Sequence, residues 1–233
     1  MDLGNDTAEP SDSLREDAPM ITTAFAPHDD LAKWLLPHAT EGNDGSHDAA
    51  HILRVFKNAM RIHAIEGGDS QVLAAAVLLH DCVSMEKNAP NRADASRLAA
   101  KKAEAILADD RQWPASSIQA VSHAILTHSF SANLAPETLE AKILQDADRL
   151  DAIGVVGAAR CFYIAGRLGS GLYDPADPKA LQRPLDDKRF AIDHFQTKLF
   201  KLADGFQTPT GQQMAHERHA RLQAIFSDFL EEI

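Results

Sequence analysis

The feature that most constrains this chain is an apolar run, Val72 to Leu79, that ends in His80-Asp81. Eight consecutive apolar residues without β-branched alternation read as a helix buried on every side. An imidazole and a carboxylate at its end need partners, because burying either alone costs several kcal/mol or forces neutralisation. A cation would satisfy both. Further candidate ligands lie along the chain: His47 and His51 upstream, then His123, His128, Asp146, Asp148 and Asp151 downstream.

The 233 residues, 45% apolar and 24% charged, suffice for one substantial core, so one domain is expected. A net charge of -11 with no basic run argues against a nucleic-acid surface. No apolar stretch approaches the roughly 20 residues a membrane span needs. The acidic N-terminus does not resemble a targeting segment, so a soluble, cytoplasmic protein is expected. Cys82 and Cys161 form neither a disulfide framework nor a Cys-x-x-Cys pattern. Residues 1–25 hold almost no large apolar side chain before Met20-Ile21, which predicts a disordered acidic leader ahead of a domain over 26–233.

From Asp29 onward the pattern is helical and strand content should be near zero. A first helix starts at Asp29-Asp30 and carries Leu31, Trp34 and Leu35 on one face. A second starts near Ser46, presents Ile52, Val55, Phe56, Ala59 and Ile62 at helical spacing, and stops at Gly67-Gly68. The central apolar helix begins at Asp69 or Ser70. After a polar loop from Met85 to Arg92, an Ala-rich helix runs from about Asp94 to Ala108. Pro114 suits the first position of the helix bearing His123 and His128. Another helix opens near Pro136-Glu137 and passes through Ile143, Leu144, Ala147, Leu150 and Ile153. A long loop spans Gly166 to Asp187, with three Gly and three Pro, and helices over about 187–204 and 210–232 close the chain. The expected architecture is an all-α bundle of seven or eight helices around a central metal cleft.

His47 and His51 are four apart and share a helix face, which is weak evidence in a chain with 11 histidines. Asp146 and Asp148 point roughly 200° apart on their helix, so only one can reach a common site, and periodicity does not choose between them. Asp151 lies one turn beyond Asp148. It is read equally as a solvated partner of Arg149 or Arg160 and as a catalytic or supporting carboxylate. His123 and His128 are candidates for contact with an anionic group or for general acid catalysis. Lys87 and Arg92, on the loop leaving the apolar helix, are candidates for neutralising an anionic substrate. No function is assigned to His63, His194, His216 or His219. Phe162, Tyr163, Leu172 and Tyr173 are read as core, with a pocket lining as the alternative.

The residues His51-Ile-Leu-Arg54-Val55, then His80-Asp81, then Ala147-Asp148-Arg149-Leu150 resemble the His…His-Asp…Asp signature of the HD superfamily of metal-dependent phosphohydrolases. The stretches Lys87 to Arg92, His128 to Ala132 and Gln145 to Gly154 are similar to a bacterial subgroup, and the likeness runs from about residue 28 to the C-terminus. The resemblance implies that His51, His80, Asp81 and Asp148 bind a divalent cation, with Asp148 chosen over Asp146. Some members hold a second metal with extra histidines in this interval, so one ion or two are both considered, Asp81 bridging if there are two. Imidazole with carboxylate suits Mn, Fe, Co, Ni or Zn; Mg, better served by carboxylates alone, stays among the candidates. The expected reaction is hydrolysis of a phosphate ester or phosphoanhydride, with a nucleotide as leading substrate class. His123, His128 and Asp151 are candidates for the general acid, and Asp81 is placed in the catalytic set. Two rivals belong to other classes: a di-iron oxygenase on a similar bundle, and a nucleotide-binding regulatory module without turnover.

Overall fold

A computed structural model describes residues 22–39, 49–83, 94–110, 112–129 and 133–233. His47, the expected cap at Ser46, the Lys87–Arg92 loop and the first 21 residues lie outside the described residues. Among the described residues nine α-helices follow in order: α1 Asp29–Leu35, α2 Ala49–Glu66, α3 Ser70–Leu79, α4 Ala95–Ala108, α5 Ala115–Thr127, α6 Leu139–Asp151, α7 Gly154–Leu168, α8 Asp193–Thr197 and α9 Pro209–Glu231. Among the described residues there is no β-strand, only an isolated bridge between Gly171 and Phe190. No helix among them is long and apolar enough to cross a membrane.

The apolar run is α3, and it is the hub. Every residue from Val72 to Leu79 is buried, because α1, α2, α5 and α6 all pack against it. Asp69 fixes its start by accepting the backbone N–H groups of Gln71 and Val72 at 2.9 and 3.1 Å. The turn before it, Gly67-Gly68, has positive φ values of 84° and 99°, which end α2 at little steric cost. On α2 the buried face is His51, Ile52, Val55, Phe56, Asn58, Ala59 and Ile62, and it lies against α3 and α6. A second, smaller cluster joins Phe195, Leu199, Ile192, Cys161 and Leu222, with Phe162 stacked on Phe229 at 5.5 Å between centroids. The core reading of Phe162 therefore holds, while Tyr163 and Leu172 are exposed.

Four boundaries differ from expectation. The helix through Ile153 breaks after Asp151, since Gly154 adopts φ 77° and starts a new helix, α7. Among the described residues that break adds one helix to those expected. Gly166 lies within α7, and the chain leaves it at Gly169, whose φ of 74° closes the helix. The expected helix over 187–204 shrinks to α8 and a 3-10 turn, Leu199–Ala203. At the other end, Thr23–Phe25 forms a 3-10 turn with Phe25 fully buried, packed on Phe56 with centroids 4.9 Å apart. Phe25 therefore belongs to the packed core.

The C-terminal part is tied to α6. Asp146 is fully buried and accepts the N–H groups of Gln207 and Thr208, each at 2.8 Å, and the Thr208 hydroxyl at 2.7 Å. Arg149 donates to the carbonyls of Leu202, Asp204 and Gly205. Together they shape the turn that enters α9, where a Cβ on Gly211 would overlap the Asp146 carboxylate. Gly211→Ala should therefore destabilise the fold by about 1–3 kcal/mol through overpacking, read as a lower urea midpoint with an unchanged slope.

Candidate metal centre

Four helix ends or faces deliver the polar groups to one place. His51 comes from the first turns of α2, His80 and Asp81 from the end of α3, His128 from the end of α5 and Asp148 from α6. His51 Nε2 stands 3.3 Å from His80 Nε2, 3.6 Å from Asp81 Oδ2 and 3.5 Å from Asp148 Oδ1. His80 Nε2 is 3.4 Å from Asp81 Oδ2 and 4.0 Å from Asp148 Oδ1. His128 Nε2 lies 3.8 Å from the other Asp81 oxygen, Oδ1. Donors about 2.1 Å from one cation stand roughly 3.0–4.2 Å apart in tetrahedral or octahedral sets. The observed spacings fall in that interval.

The outward nitrogens explain why the inward ones converge. His80 Nδ1 donates to the Val77 carbonyl at 2.7 Å, and His128 Nδ1 to the Ile125 carbonyl at 2.6 Å. His51 Nδ1 donates to Asp151 Oδ2 at 2.8 Å. Carbonyl and carboxylate oxygens can only accept here, so each Nδ1 carries hydrogen and each Nε2 faces the cleft. Two imidazole nitrogens 3.3 Å apart, with carboxylates beside them, require something positive between them: a proton on one ring or a metal ion.

Burial divides the set. The His51 and His80 side chains are 2% and 0% exposed, whereas Asp81 and Asp148 are 22% and 30% exposed. The histidines close the floor and the carboxylates stand at the mouth. Burial lowers the His80 pKa, against the pull of Asp81, and keeps that ring neutral. For His51, burial also opposes the charge, but Asp151, Asp81 and Asp148 outweigh it and push the pKa up to about 9.

Asp151 is not where a general acid is needed. It is buried, and besides His51 it receives Arg54 Nε at 2.6 Å, Arg54 Nη2 at 3.0 Å and Arg160 Nη1 at 3.1 Å. Burial raises its pKa, yet His51 and Arg54 hold it well below the usual carboxylate range. A carboxylate that stays ionised has no proton to give, so its place among the acid candidates is corrected. The partnership with Arg160 is present; solvation and a pairing with Arg149 are not. His123 also turns elsewhere, its Nε2 accepting the Glu137 N–H at 3.0 Å. Asp146 faces the turn before α9, opposite to Asp148. Arg54, whose guanidinium grips Asp151, was missed as a site residue. Its i,i+3 relation to His51, mirrored by Asp148 and Asp151, was the available signal.

The HD domain family model matches residues 48–153, an interval that contains all five converging side chains. The Bacillus subtilis protein YpgQ is 33% identical over 193 residues, which cover 81% of this chain and 85% of the relative. The chain belongs to the HD-domain family. A crystal structure of an HD-superfamily hydrolase from Bacillus thuringiensis superimposes with a TM-score of 0.65 at 29% identity, covering 94% of this chain and 97% of that one. The crystal structure of YpgQ in complex with ADP gives a TM-score of 0.63 at 28% identity, covering 94% and 96%.

Two predictions follow from this geometry. Metal content should fall sharply in Asp148→Ala and stay near wild type in Asp146→Ala, whose cost appears in stability; elemental analysis of both variants checks this, and the reverse result overturns the ligand choice. Because a metal ion must displace a proton held by His51, affinity should rise with pH from below the ordinary imidazole value of 6.5 to about 9 and level off above it. The raised pKa also stabilises the metal-free fold, fully below 6.5 and progressively less as pH rises through about 9. Binding isotherms that do not change across this window would contradict the assignment.

Proposed function

We propose that this protein is a divalent-metal-dependent phosphohydrolase acting on a phosphate ester or phosphoanhydride, with a nucleotide as the leading substrate. The observation that carries this reading is the convergence of three imidazole Nε2 atoms and two carboxylates, each Nδ1 being tied down on the far side. The ADP found with YpgQ supports a nucleotide as ligand. The donor set fits a divalent ion on His51, His80, Asp81 and Asp148, and Mn, Fe, Co and Ni suit that mixture of nitrogen and oxygen better than Mg. Such an ion supplies Lewis acidity to phosphoryl oxygens and makes water acidic enough to ionise near neutral pH.

The chain's own residues prepare the site. Asp151, kept ionised by Arg54 and Arg160, accepts the Nδ1 proton of His51 and so aims its Nε2 at the cleft. His80, buried and neutral, offers its Nε2 lone pair without a proton to lose. Asp81 addresses three imidazoles at once, Oδ2 toward His51 and His80 and Oδ1 toward His128. Were two ions held, Asp81 would be the residue they share, with His128 beside the second. With carboxylates at the mouth, substrate enters from their side, where His128 Nε2 meets a phosphate oxygen. Lys87 and Arg92 follow Asp81 closely in the chain and are proposed to neutralise phosphate charge.

Purified protein assayed on nucleoside mono-, di- and triphosphates with Mn, Co, Ni or Mg should release phosphate or pyrophosphate only when metal is present. The His80→Ala, Asp81→Ala double variant should fall to background. Release that survives in that variant overturns the mechanism, and iron-dependent oxygen consumption without phosphate release would favour the oxygenase.

A further inference from the structure

The family match ends at residue 153, yet a side chain far beyond it reaches the back of the metal centre. Arg218 on α9 is half-buried. Its Nη1 donates to the Leu150 carbonyl and its Nη2 to Asn58 Oδ1, the latter at 2.6 Å. Asn58, only 4% exposed, passes the contact on by donating Nδ2 to the Ala147 carbonyl at 3.1 Å. The two carbonyls held in this way belong to the residues immediately before Asp148 and Asp151. Asn58 itself lies two turns beyond His51 on the same face of α2. One linked pair of side chains therefore bears on the helix that carries Asp148, on the carboxylate that orients His51, and on the helix that carries His51.

Gly154 belongs to the same arrangement. A Cβ there would press on Arg218 Cβ and Cγ at 3.2 and 3.3 Å, and the residue already has positive φ. The break between α6 and α7 thus leaves room for the Arg218 stem beside the last turn of α6. A role in general stability alone would not require the polar ends to fall on those two carbonyls.

We infer that Arg218 and Asn58 are positioning residues for the metal centre: they set where the end of α6 lies against α2, and so the spacing between Asp148 and His51. The inference rests on the metal-centre reading given above. Arg218 acts through backbone carbonyls and touches no ligand atom. Its loss should therefore alter the geometry and strength of metal binding and leave the ligands themselves in the chain.

Co2+ is the probe, read by titration calorimetry and by its visible absorption spectrum, on full-length wild type and on Arg218→Met, Asn58→Leu and their double variant. Each single variant should bind Co2+ about 10–100-fold more weakly, the range for supporting partners of metal ligands, and shift its absorption bands. The double variant should be no worse than the weaker single one, because both changes cut one linkage. Arg183→Met is the control. It breaks the ion pair that ties the loop between α7 and α8 to buried Asp193 at the start of α8, and should lower the melting temperature without changing Co2+ affinity or spectrum. If Arg218→Met does not fold, Arg218→Lys carries the test, since an ammonium reaches one of the two acceptors and should give a smaller loss. Wild-type affinity and spectrum in the folded variants overturn this inference alone. A wild-type protein that binds no Co2+, Mn2+ or Ni2+ overturns the metal-centre reading and this inference with it.

Discussion

The contact on which the site depends is the buried hydrogen-bonded ion pair between His51 and Asp151, which joins α2 to α6. Desolvating a carboxylate costs several kcal/mol unless it is fully paired, and Asp151 is 1% exposed. It is tolerated because four N–H groups, from His51, Arg54 and Arg160, surround its two oxygens. The same enclosure fixes the His51 ring, for a carboxylate that can only accept dictates which nitrogen carries hydrogen. Remove that constraint and the ring can rotate or exchange tautomers, and the spacings to His80, Asp81 and Asp148 no longer have a cause.

Helix α6 works on two faces. Asp148 and Asp151 face α2 and the cleft, while Asp146 and Arg149 hold the turn that leads into α9. Arg218 returns from α9 to the last turn of α6 and to Asn58. The C-terminal segment and the candidate metal centre are thus joined through one helix, and the smaller aromatic cluster between α7, α8 and α9 seats the returning helix. This economy accounts for a density of charged groups in α6 that an amphipathic surface helix would not need.

Much of this was legible in the residues. The apolar run gave the central helix because eight successive apolar side chains have no solvent face to turn outward. Asp69, Gly67 and Gly68 marked its start through capping and positive φ, which are local effects. The order His51, His80-Asp81, Asp148 was visible as a pattern resembling a known family, and these side chains do converge. Less legible was the end of α6, since Ile153 continues the apolar period while Gly154 breaks the backbone where Arg218, distant in sequence, packs against it. Asp151 was ambiguous for a similar reason: a carboxylate one turn from a candidate ligand reads alike whether water or two arginines surround it. His123 and His128 looked equivalent, and only the ends of α5 and α6 separate the ring beside Asp81 from the ring bonded to Glu137.

By itself the sequence determined the helical class, the central helix and which polar residues are candidates to share a cation, because period, capping and the cost of burying charge act over a few residues. Tertiary structure decided which of Asp146 and Asp148 faces the cleft, which imidazole nitrogens carry hydrogen, and which groups Arg54, Asn58 and Arg218 hold. Those outcomes depend on directions between helices, and a direction in space is set by packing partners that a local pattern of residues does not contain.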